Sequence, residues 1–312
     1  MKASSSSGQL SFAQKEQICE TTFFHNGPFH HVCTPGQSTE ILCETADDYK
    51  FLVTLIAIAA SAAGVTVVSF EVMSNHIHVI LVGQKADCQA FFDYFKAKLK
   101  RYYSSIGRYV NLDDFKCKVI AIESLRQLRI ELAYLHRNAY VVNEKYLPFS
   151  YPWSSGSLYF NPLAYRENAI PFSKVPFREK QLMCRGRIPD LPNSYLVKDG
   201  MILPQSFCAI KLGEALFRNA HQYFAMISKN YEAYSEVAKS LGDDIYLDDE
   251  EMFAVLQIKS KRDYNEGRPT MLPQKDKLEL AKWMRRDYNA SNGQIHRMLR
   301  LDLTIVEELF GH

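Results

Sequence analysis

The fold is decided by residues 65–82, which read V-T-V-V-S-F-E-V-M-S-N-H-I-H-V-I-L-V. Two runs rich in β-branched and aromatic residues flank the polar pair Ser74-Asn75. Such runs are typical of strands, and a short polar turn between two of them is typical of a β-hairpin. The sequence therefore predicts a strand over residues 65–73 and a second strand over residues 76–82.

The residues before this hairpin are apolar enough to suggest a membrane span. Residues 51–70 include no charged residue, and a span needs about 20 residues. Gly64 divides the run, however, into an alanine-rich half and a β-branched half. Because Gly is preferred just after the end of a helix, we predict a helix over residues 47–63 that ends at Gly64. No membrane partner is predicted.

The elements around the hairpin alternate between strand and helix periodicity. Apolar patterns predict strands over residues 29–33 and 117–122, and helices over residues 87–103 and 125–140. The predicted order is β-α-β-β-α-β-α. We therefore predict an α+β fold, in which a ferredoxin-like (split β-α-β) antiparallel sheet domain with one added helix precedes an α-helical C-terminal region.

Composition places the chain among ordinary globular proteins. The 312 residues are 47% hydrophobic and 23% charged, with a net charge of +2. These values exclude a largely disordered chain and a collagen-like repeat. The seven cysteines are scattered without a Cys-x-x-Cys pair, which indicates reduced thiols in a cytosolic protein and not a disulfide or zinc framework.

His76 and His78 are the sharpest chemical signal in the chain. Residues two apart on a strand point to the same face of the sheet, so the two imidazoles converge while Ile77 faces the opposite side. Two histidines on one face supply half of a divalent metal site. Because His-x-His pairs are common, a structural role of both side chains is an equally simple interpretation.

Tyr134 and Asn138 supply a second possible part of such a site. They are four residues apart on a predicted helix and therefore lie one turn apart on one face. The Asn138 carbonyl could complete a metal shell, and the Tyr134 phenol could attack a phosphodiester; a core position of Tyr134 is the alternative. Since the first and third strands of a ferredoxin-like sheet are neighbours, His30 or His31 could border this site, although a core or rim position is simpler.

Positive charge is concentrated between residues 96 and 137, where ten basic residues outnumber four acidic residues. Tyrosines are interspersed among them, and this combination suits a nucleic-acid backbone with bases available for stacking. A solvated helix face with core tyrosines is the alternative. The predicted DNA contacts of this stretch are Lys96, Lys98, Lys100, Arg101, Arg129 and Arg137.

Two ordered motifs resemble those of the REP-associated tyrosine transposases, a branch of the single-tyrosine HUH transposases. The first motif is M-S-N-H-I-H-V-I-L over residues 73–81; the second is Y-L-H-R-N-A over residues 134–139, followed by Y-P-W-S-S over residues 151–155. The family has Pro where this chain has Ser74 and Ala139. The resemblance covers roughly residues 25–160.

This resemblance implies metal-dependent cleavage and rejoining of single-stranded DNA of hairpin or palindromic form. His76, His78 and Asn138 would hold Mg²⁺ or Mn²⁺, which would stabilise charge on the scissile phosphate. Tyr134 would form a 5′-phosphotyrosine and free a 3′-hydroxyl. We therefore expect a cytoplasmic, nucleoid-associated DNA transposase that acts as a monomer or a homodimer.

Two other functions are compatible with the same residues. The departures from the motif at Ser74 and Ala139 leave open a domesticated regulator that binds DNA without cutting it. A phosphoesterase that acts on small nucleotides through His76 and His78, without covalent chemistry, is the other alternative.

Composition along the chain and the extent of the motif resemblance together predict five segments, with the transposase domain implied by the resemblance. A flexible tail over residues 1–24 precedes a transposase domain over residues 25–160, and loops over 161–197 and a helical region over 198–268 follow. Residues 276–312 are predicted to form three short helices.

The C-terminal helices resemble a DNA-binding helix-turn-helix. The third helix carries Asp302, Glu307 and Glu308 but no basic residue, so a packing or dimer module is the alternative. The better candidates for phosphate contacts in this segment are Arg285, Arg286, Arg297 and Arg300.

Overall fold

The computed structural model describes residues 10–36, 39–142, 150–165, 168–229, 247 and 249–311. The chain divides into two compact units. The first unit comprises residues 1–140 and 145–229, and the second comprises residues 141–144 and 230–312.

The first unit is built around a four-stranded antiparallel sheet. Its strands are β1 (Phe29–Cys33), β2 (Thr66–Val72), β3 (Ile77–Val82) and β4 (Lys118–Ile122). The sheet order is β2-β3-β1-β4, and each neighbouring pair is antiparallel. The predicted hairpin is thus confirmed as β2–β3, and β1 lies beside β3 in the middle of the sheet.

Helices cover both faces of this sheet. They are α1 (Phe12–Asn26), α2 (Ala46–Ala63), α3 (Lys85–Ser105) and α4 (Leu125–Val142). On one face Val32, Phe70 and Val79 pack with residues of α2 and α3. On the other face Phe29 and Ile80 pack with residues of α1 and α4. The predicted order β-α-β-β-α-β-α is observed, and the mixed class with antiparallel sheets and C-terminal helices is confirmed.

Local signals set both ends of α2. Thr45 caps its first turn, where the side chains of Thr45 and Asp48 each accept a hydrogen bond from the other's backbone N–H. Gly64 ends the helix in the left-handed conformation with φ 68°, which Gly adopts without steric cost. The apolar run is therefore a helix followed by a strand. None of the described helices has the length and apolar character of a membrane span.

The N-terminal segment differs from its prediction. α1 covers residues 12–26, most of which were predicted to belong to a flexible tail over residues 1–24. Cys19 and Phe23, four apart on α1, enter the apolar cluster beneath α4, and this burial explains why the segment is helical. Residues 1–9 of the predicted tail lie outside the described residues.

The first unit also extends beyond the predicted limit at residue 160. Residues 161–197 were predicted as loops, but they contribute to a second sheet of order β5-β6-β7 and include an α-helix and a short 3-10 helix at Phe172–Lys174. These elements are β5 (Ile170–Pro171), β6 (Leu196–Lys198), β7 (Met201–Ile202) and α5 (Phe177–Cys184). They pack on α2, where Ile58 meets Phe172, Met183 and Ile202. The unit ends with α6 (Pro204–Phe207), α7 (Ile210–Ala215) and α8 (Ala220–Lys229).

The described elements of the second unit are helical. They are α9 (Asp249–Tyr264), α10 (Gln274–Tyr288), α11 (Asn292–Leu299) and α12 (Leu303–Phe310), with a short 3-10 helix at Pro269–Met271. The prediction of three short C-terminal helices is confirmed as α10–α12. The Ser291 side chain caps α11 by accepting a hydrogen bond from the backbone N–H of Gln294, and Ile295 and Leu299 are fully buried.

Candidate metal and nucleophile site

Helix α4 crosses the sheet and places a polar side chain over each of three strands. Glu131 accepts a hydrogen bond from His31 of β1, and the ring of Tyr134 lies beside His78 of β3. Two residues after Tyr134, His136 forms a hydrogen bond with Ser69 of β2. The order of these contacts along α4 follows the strand order β1-β3-β2.

His78 lies at the centre of this polar layer. It is the cross-strand partner of Cys33 on β1 and of Glu71 on β2, so all three side chains point to the α4 face. The His78 Nδ1 atom lies 3.1 Å from the Nε2 atom of His31. His31 therefore borders the site, whereas strand alternation directs His30 to the opposite face.

Among the described residues, a group of two histidines and a cysteine could hold a metal ion. His31, Cys33 and His78 each offer a ligand atom, and these atoms lie within 4.8 Å of one another. All three residues are buried. Imidazole nitrogen and thiolate sulfur are ligands for transition metals and zinc, whereas Mg²⁺ prefers oxygen.

The predicted ligand set shares only His78 with this group. The ring of His76 lies 5.0 Å from that of His78, nearly perpendicular to it, and its Nδ1 atom is 2.7 Å from the Asn75 Oδ1 atom. His76 is 9% exposed and Asn138 is buried. His76 and His78 are therefore brought together as predicted, while Asn138 stays a predicted ligand.

The Tyr134 ring is packed edge-on against His78, with 5.6 Å between the ring centroids and 82° between the planes. The strand histidine and the helix tyrosine thus lie side by side. Tyr134 is only 2% exposed, however, and its neighbours Arg137 and Asn138 are buried as well. A phosphate can reach the Tyr134 hydroxyl only if the surrounding side chains move.

The Y-P-W-S-S motif extends the edge of the sheet. The backbone N–H of Val72 donates to the carbonyl of Trp153, the N–H of Ser155 donates to Phe70, and Ser154 bridges antiparallel to Glu71. The Tyr151 hydroxyl donates to the Val72 carbonyl at 2.7 Å. These contacts make the motif a support for β2.

His136 belongs to a buried hydrogen-bond network. Its Nε2 atom is 2.7 Å from the Ser69 hydroxyl, which is 2.8 Å from the Ser155 hydroxyl, and its Nδ1 atom is 2.8 Å from the Tyr223 hydroxyl. Complete burial lowers the pKa of His136 to about 3, so the ring is neutral at physiological pH. The network ties α4 to β2, to the Ser155 segment and to α8.

The predicted DNA contacts of the first unit have different environments. Arg129 is buried: its Nε donates to the Leu216 carbonyl at 2.6 Å, and its guanidinium pairs with Glu16 at 2.6 Å. This internal ion pair, which holds α1 against α4, corrects the prediction that Arg129 contacts DNA. The side chain of Arg137 is also buried, so a DNA strand in solution cannot contact it in this conformation.

The basic residues on α3 are more accessible. The ammonium group of Lys96 donates to the Phe115 carbonyl, and that of Lys98 lies 5.6 Å from the centroid of the Tyr94 ring. Lys100 and Arg101 are exposed. The accessible part of the predicted basic surface is therefore the second half of α3.

In the second unit, three of the four predicted arginines have partners among the residues that the structure describes. The Arg285 guanidinium lies 4.9 Å from the Phe310 ring, Arg286 pairs with Asp287 at 2.7 Å, and Arg297 pairs with Asp249 at 2.9 Å. Arg300 is exposed at the end of α11. DNA binding by these residues stays a prediction.

Sequence reasoning missed two members of the site, Cys33 and Glu131. The period-2 rule that pairs His76 with His78 also pairs His31 with Cys33. Glu131 precedes Tyr134 by three residues and therefore shares its side of α4. Both spacings can be read from the sequence. They identify Cys33 and Glu131 as members of the site only once β1 is known to lie beside β3.

Comparison of the chain with protein-family models, curated proteins and solved structures found no significant match.

Proposed function

We propose that the first unit cleaves and rejoins single-stranded DNA through attack of Tyr134 on a phosphodiester. The observation that carries this proposal is the packing of the Tyr134 ring against His78, at 5.6 Å between centroids. The motif resemblance implies that a tyrosine on a helix and a histidine pair on a strand act together. The strand order β2-β3-β1-β4 further supports our proposal that the domain is ferredoxin-like.

In the proposed step, the Tyr134 phenol loses its proton and its oxygen forms a bond to phosphorus. The bond from phosphorus to the 3′-oxygen breaks, and that oxygen takes up a proton to become a 3′-hydroxyl. A 5′-phosphotyrosine remains on the protein. Attack by the same or another 3′-hydroxyl reverses the step and rejoins the strand without an external energy source.

His76 and His78 are the proposed holders of the divalent ion, with Asn138 as a third ligand. Two imidazoles and an amide carbonyl can hold Mg²⁺ or Mn²⁺ if waters complete the shell. When bound, the ion would supply positive charge to the non-bridging oxygens of the phosphate. His78 is fixed on its strand by pairing with both β1 and β2, which keeps the imidazole in place beside Tyr134.

The accessible cations of α3, of which Lys98 is half-buried and Lys100 and Arg101 are exposed, are the proposed backbone contacts. Lys98, Lys100 and Arg101 would neutralise phosphates of a hairpin or palindromic strand, so binding should weaken as salt rises. Such a DNA partner would associate the protein with the nucleoid, and either a monomer or a homodimer is compatible with the proposal.

A labelled single-stranded hairpin tests the proposal. With Mg²⁺ or Mn²⁺ present, we expect a covalent protein–DNA adduct that resists denaturation, and we expect Tyr134→Phe to abolish it. Tyr109→Phe is the matched control, because Tyr109 is 87% exposed and is, among the tyrosines that the structure describes, the one most open to an adventitious reaction. An adduct that persists in Tyr134→Phe would contradict the proposal.

Burial of Tyr134 favours a second candidate, a DNA-binding regulator that no longer cuts. This function needs the accessible cations of α3 but no access to the Tyr134 hydroxyl. It predicts salt-dependent binding of the hairpin without adduct under any ion. Turnover of small phosphodiesters that survives Tyr134→Phe would instead indicate a phosphoesterase.

A further inference from the structure

We propose that His31, Cys33 and His78 bind a thiophilic divalent ion of the Zn²⁺ class through two imidazole nitrogens and a thiolate. This site goes beyond the proposed function, although both share His78. It requires neither DNA nor the Tyr134 hydroxyl, and it predicts an ion that the transposase resemblance does not.

The strand register brings the three ligands together. Cys33 and His78 are cross-strand partners on β1 and β3, and His31 precedes Cys33 by two residues on the same face. Their ligand atoms lie within 4.8 Å of one another. Zn–N bonds of about 2.0–2.1 Å and Zn–S bonds of about 2.3 Å at tetrahedral angles require N···N separations of roughly 3.3 Å and N···S separations of roughly 3.5 Å.

The histidine pair is already close to this spacing. His31 Nε2 and His78 Nδ1 are 3.1 Å apart. To ligate an ion between them, the two nitrogen atoms need to move apart by only a few tenths of an ångström. The same distance also allows a hydrogen bond from the His78 Nδ1–H group to His31 Nε2. A purely structural pair would therefore look similar, and the test must detect the sulfur ligand.

Glu131 orients His31 as a ligand. The Glu131 carboxylate accepts a hydrogen bond from His31 Nδ1–H at 3.0 Å, which leaves the lone pair on Nε2 directed at His78. The other carboxylate oxygen of Glu131 accepts a hydrogen bond from the Gln127 side chain at 2.7 Å. A carboxylate that holds the remote nitrogen of a histidine is a regular accompaniment of metal-ligating imidazoles, and it raises their basicity.

The thiol decides the class of ion. A thiolate with imidazoles selects zinc and related soft or borderline ions, whereas Mg²⁺ and Mn²⁺ favour oxygen ligands. Binding transfers the Cys33 thiol proton to solvent and forms a metal–sulfur bond, so the reaction needs no oxidant or reductant. Three protein ligands leave the fourth tetrahedral position for water or another small ligand.

The test uses the full chain, stripped of metal by dialysis against a chelator. We expect Zn²⁺ to bind with a stoichiometry of one per chain, and millimolar Mg²⁺ not to compete. Co²⁺ should give the thiolate-to-metal charge-transfer band in the near ultraviolet and the intense visible bands of a tetrahedral site. Absence of the charge-transfer band from the wild-type protein overturns the proposal, whether or not any variant folds.

Variants assign the band to this site. Cys33→Ser should abolish the charge-transfer band, whereas Cys88→Ser should leave it unchanged, because Cys88 is equally buried but lies among apolar residues. Glu131→Gln should keep the band and weaken Zn²⁺ binding by about 10- to 100-fold. A band that survives in folded Cys33→Ser overturns the proposal.

The two proposals fail separately. Zn²⁺ binding without a DNA adduct contradicts only the cleavage function. A Tyr134-dependent adduct formed with Mg²⁺ or Mn²⁺ by a protein that shows no thiolate band contradicts only the zinc site.

Discussion

The two faces of the four-stranded sheet are both buried, but they are built from different chemistry. Beneath α2 and α3, strand residues such as Val32, Phe70 and Val79 meet apolar helix side chains. Beneath α4, His31 and His78 meet Glu131 and Tyr134. Apolar burial contributes to stability directly, whereas a buried polar group is unfavourable unless it is hydrogen-bonded. The α4 face thus carries side chains that stability alone does not require, and for that reason we place the function there.

The largest expected change in stability lies on the α2–α3 face. Phe95 is fully buried and packs against Phe91 and Phe115. Phe95→Ala should lower the free energy of unfolding by about 3–5 kcal/mol, because it removes an aromatic ring and leaves a cavity. Urea unfolding of the variant measures this loss, with Tyr109→Phe as the exposed control. A loss below about 1 kcal/mol would show that this face is not the main source of stability.

The two faces should also respond to acid in different pH ranges. On the α4 face the pKa of His136 is lowered to about 3 by burial, whereas an unfolded histidine has a pKa near 6.5. Between these values the unfolded state binds more protons, so the free energy of unfolding should fall as pH is lowered from about 6.5 toward 3. At about 1.4 kcal/mol per pKa unit, the fall should reach a few kcal/mol.

Asp48, at the start of α2, should act only at lower pH. Burial raises the pKa of its carboxyl, but hydrogen bonds from the Tyr102 hydroxyl and from backbone N–H groups, together with Arg108, lower it below its ordinary value. The contribution of the Asp48 carboxylate to the free energy of unfolding is complete above the ordinary pKa of aspartate. It is lost as the pH falls through the lower pKa that Asp48 has in the folded protein. In plots of the urea midpoint against pH from 8 to 3, His136→Gln should remove most of the slope above pH 4. Asp48→Asn should leave that slope in place and should reduce the slope only below pH 4, where His136 still contributes. Unchanged profiles would contradict both assignments.

Arg129 and Arg101 allow the role of a buried arginine in stability to be compared with the role of an exposed arginine in DNA binding. Arg129→Met should cost about 1.5–3 kcal/mol of stability, because the Leu216 carbonyl loses its donor and Glu16 loses a charged partner. Its affinity for the DNA hairpin should not change. Arg101→Met should leave stability unchanged but reduce the salt slope of DNA binding by about one. The reverse result would restore Arg129 as a DNA contact.

The smallest effect is expected at the first turn of α2. Thr45→Ala removes the side-chain cap of Asp48 N–H, so it should lower the free energy of unfolding by about 1 kcal/mol. Thr45→Ser keeps the hydroxyl and should retain most of the stability. Equal losses in both variants would show that the methyl group and not the cap is responsible.

Much of the first unit could be predicted from local patterns. Gly64 separates the α2 helix from β2, and Ser74-Asn75 separates the hairpin strands, because their effects act within a few residues. The tail prediction failed at α1 because its spacing of Cys19 and Phe23 becomes stabilising only against α4. The linker prediction failed for the same reason, since the short strands β5–β7 owe their order to packing on α2.

The sequence by itself determined which residues form strands and helices and which strand residues share a face, because side-chain direction follows from the backbone period. It thereby placed His76 beside His78. Only the tertiary structure decided what meets His78, since His31 is 47 residues away from it, and Glu131 lies 100 residues beyond His31. Strand order and register bring these groups within hydrogen-bonding distance. Neither the order nor the register of the strands can be read from the local hydrophobic pattern of the sequence.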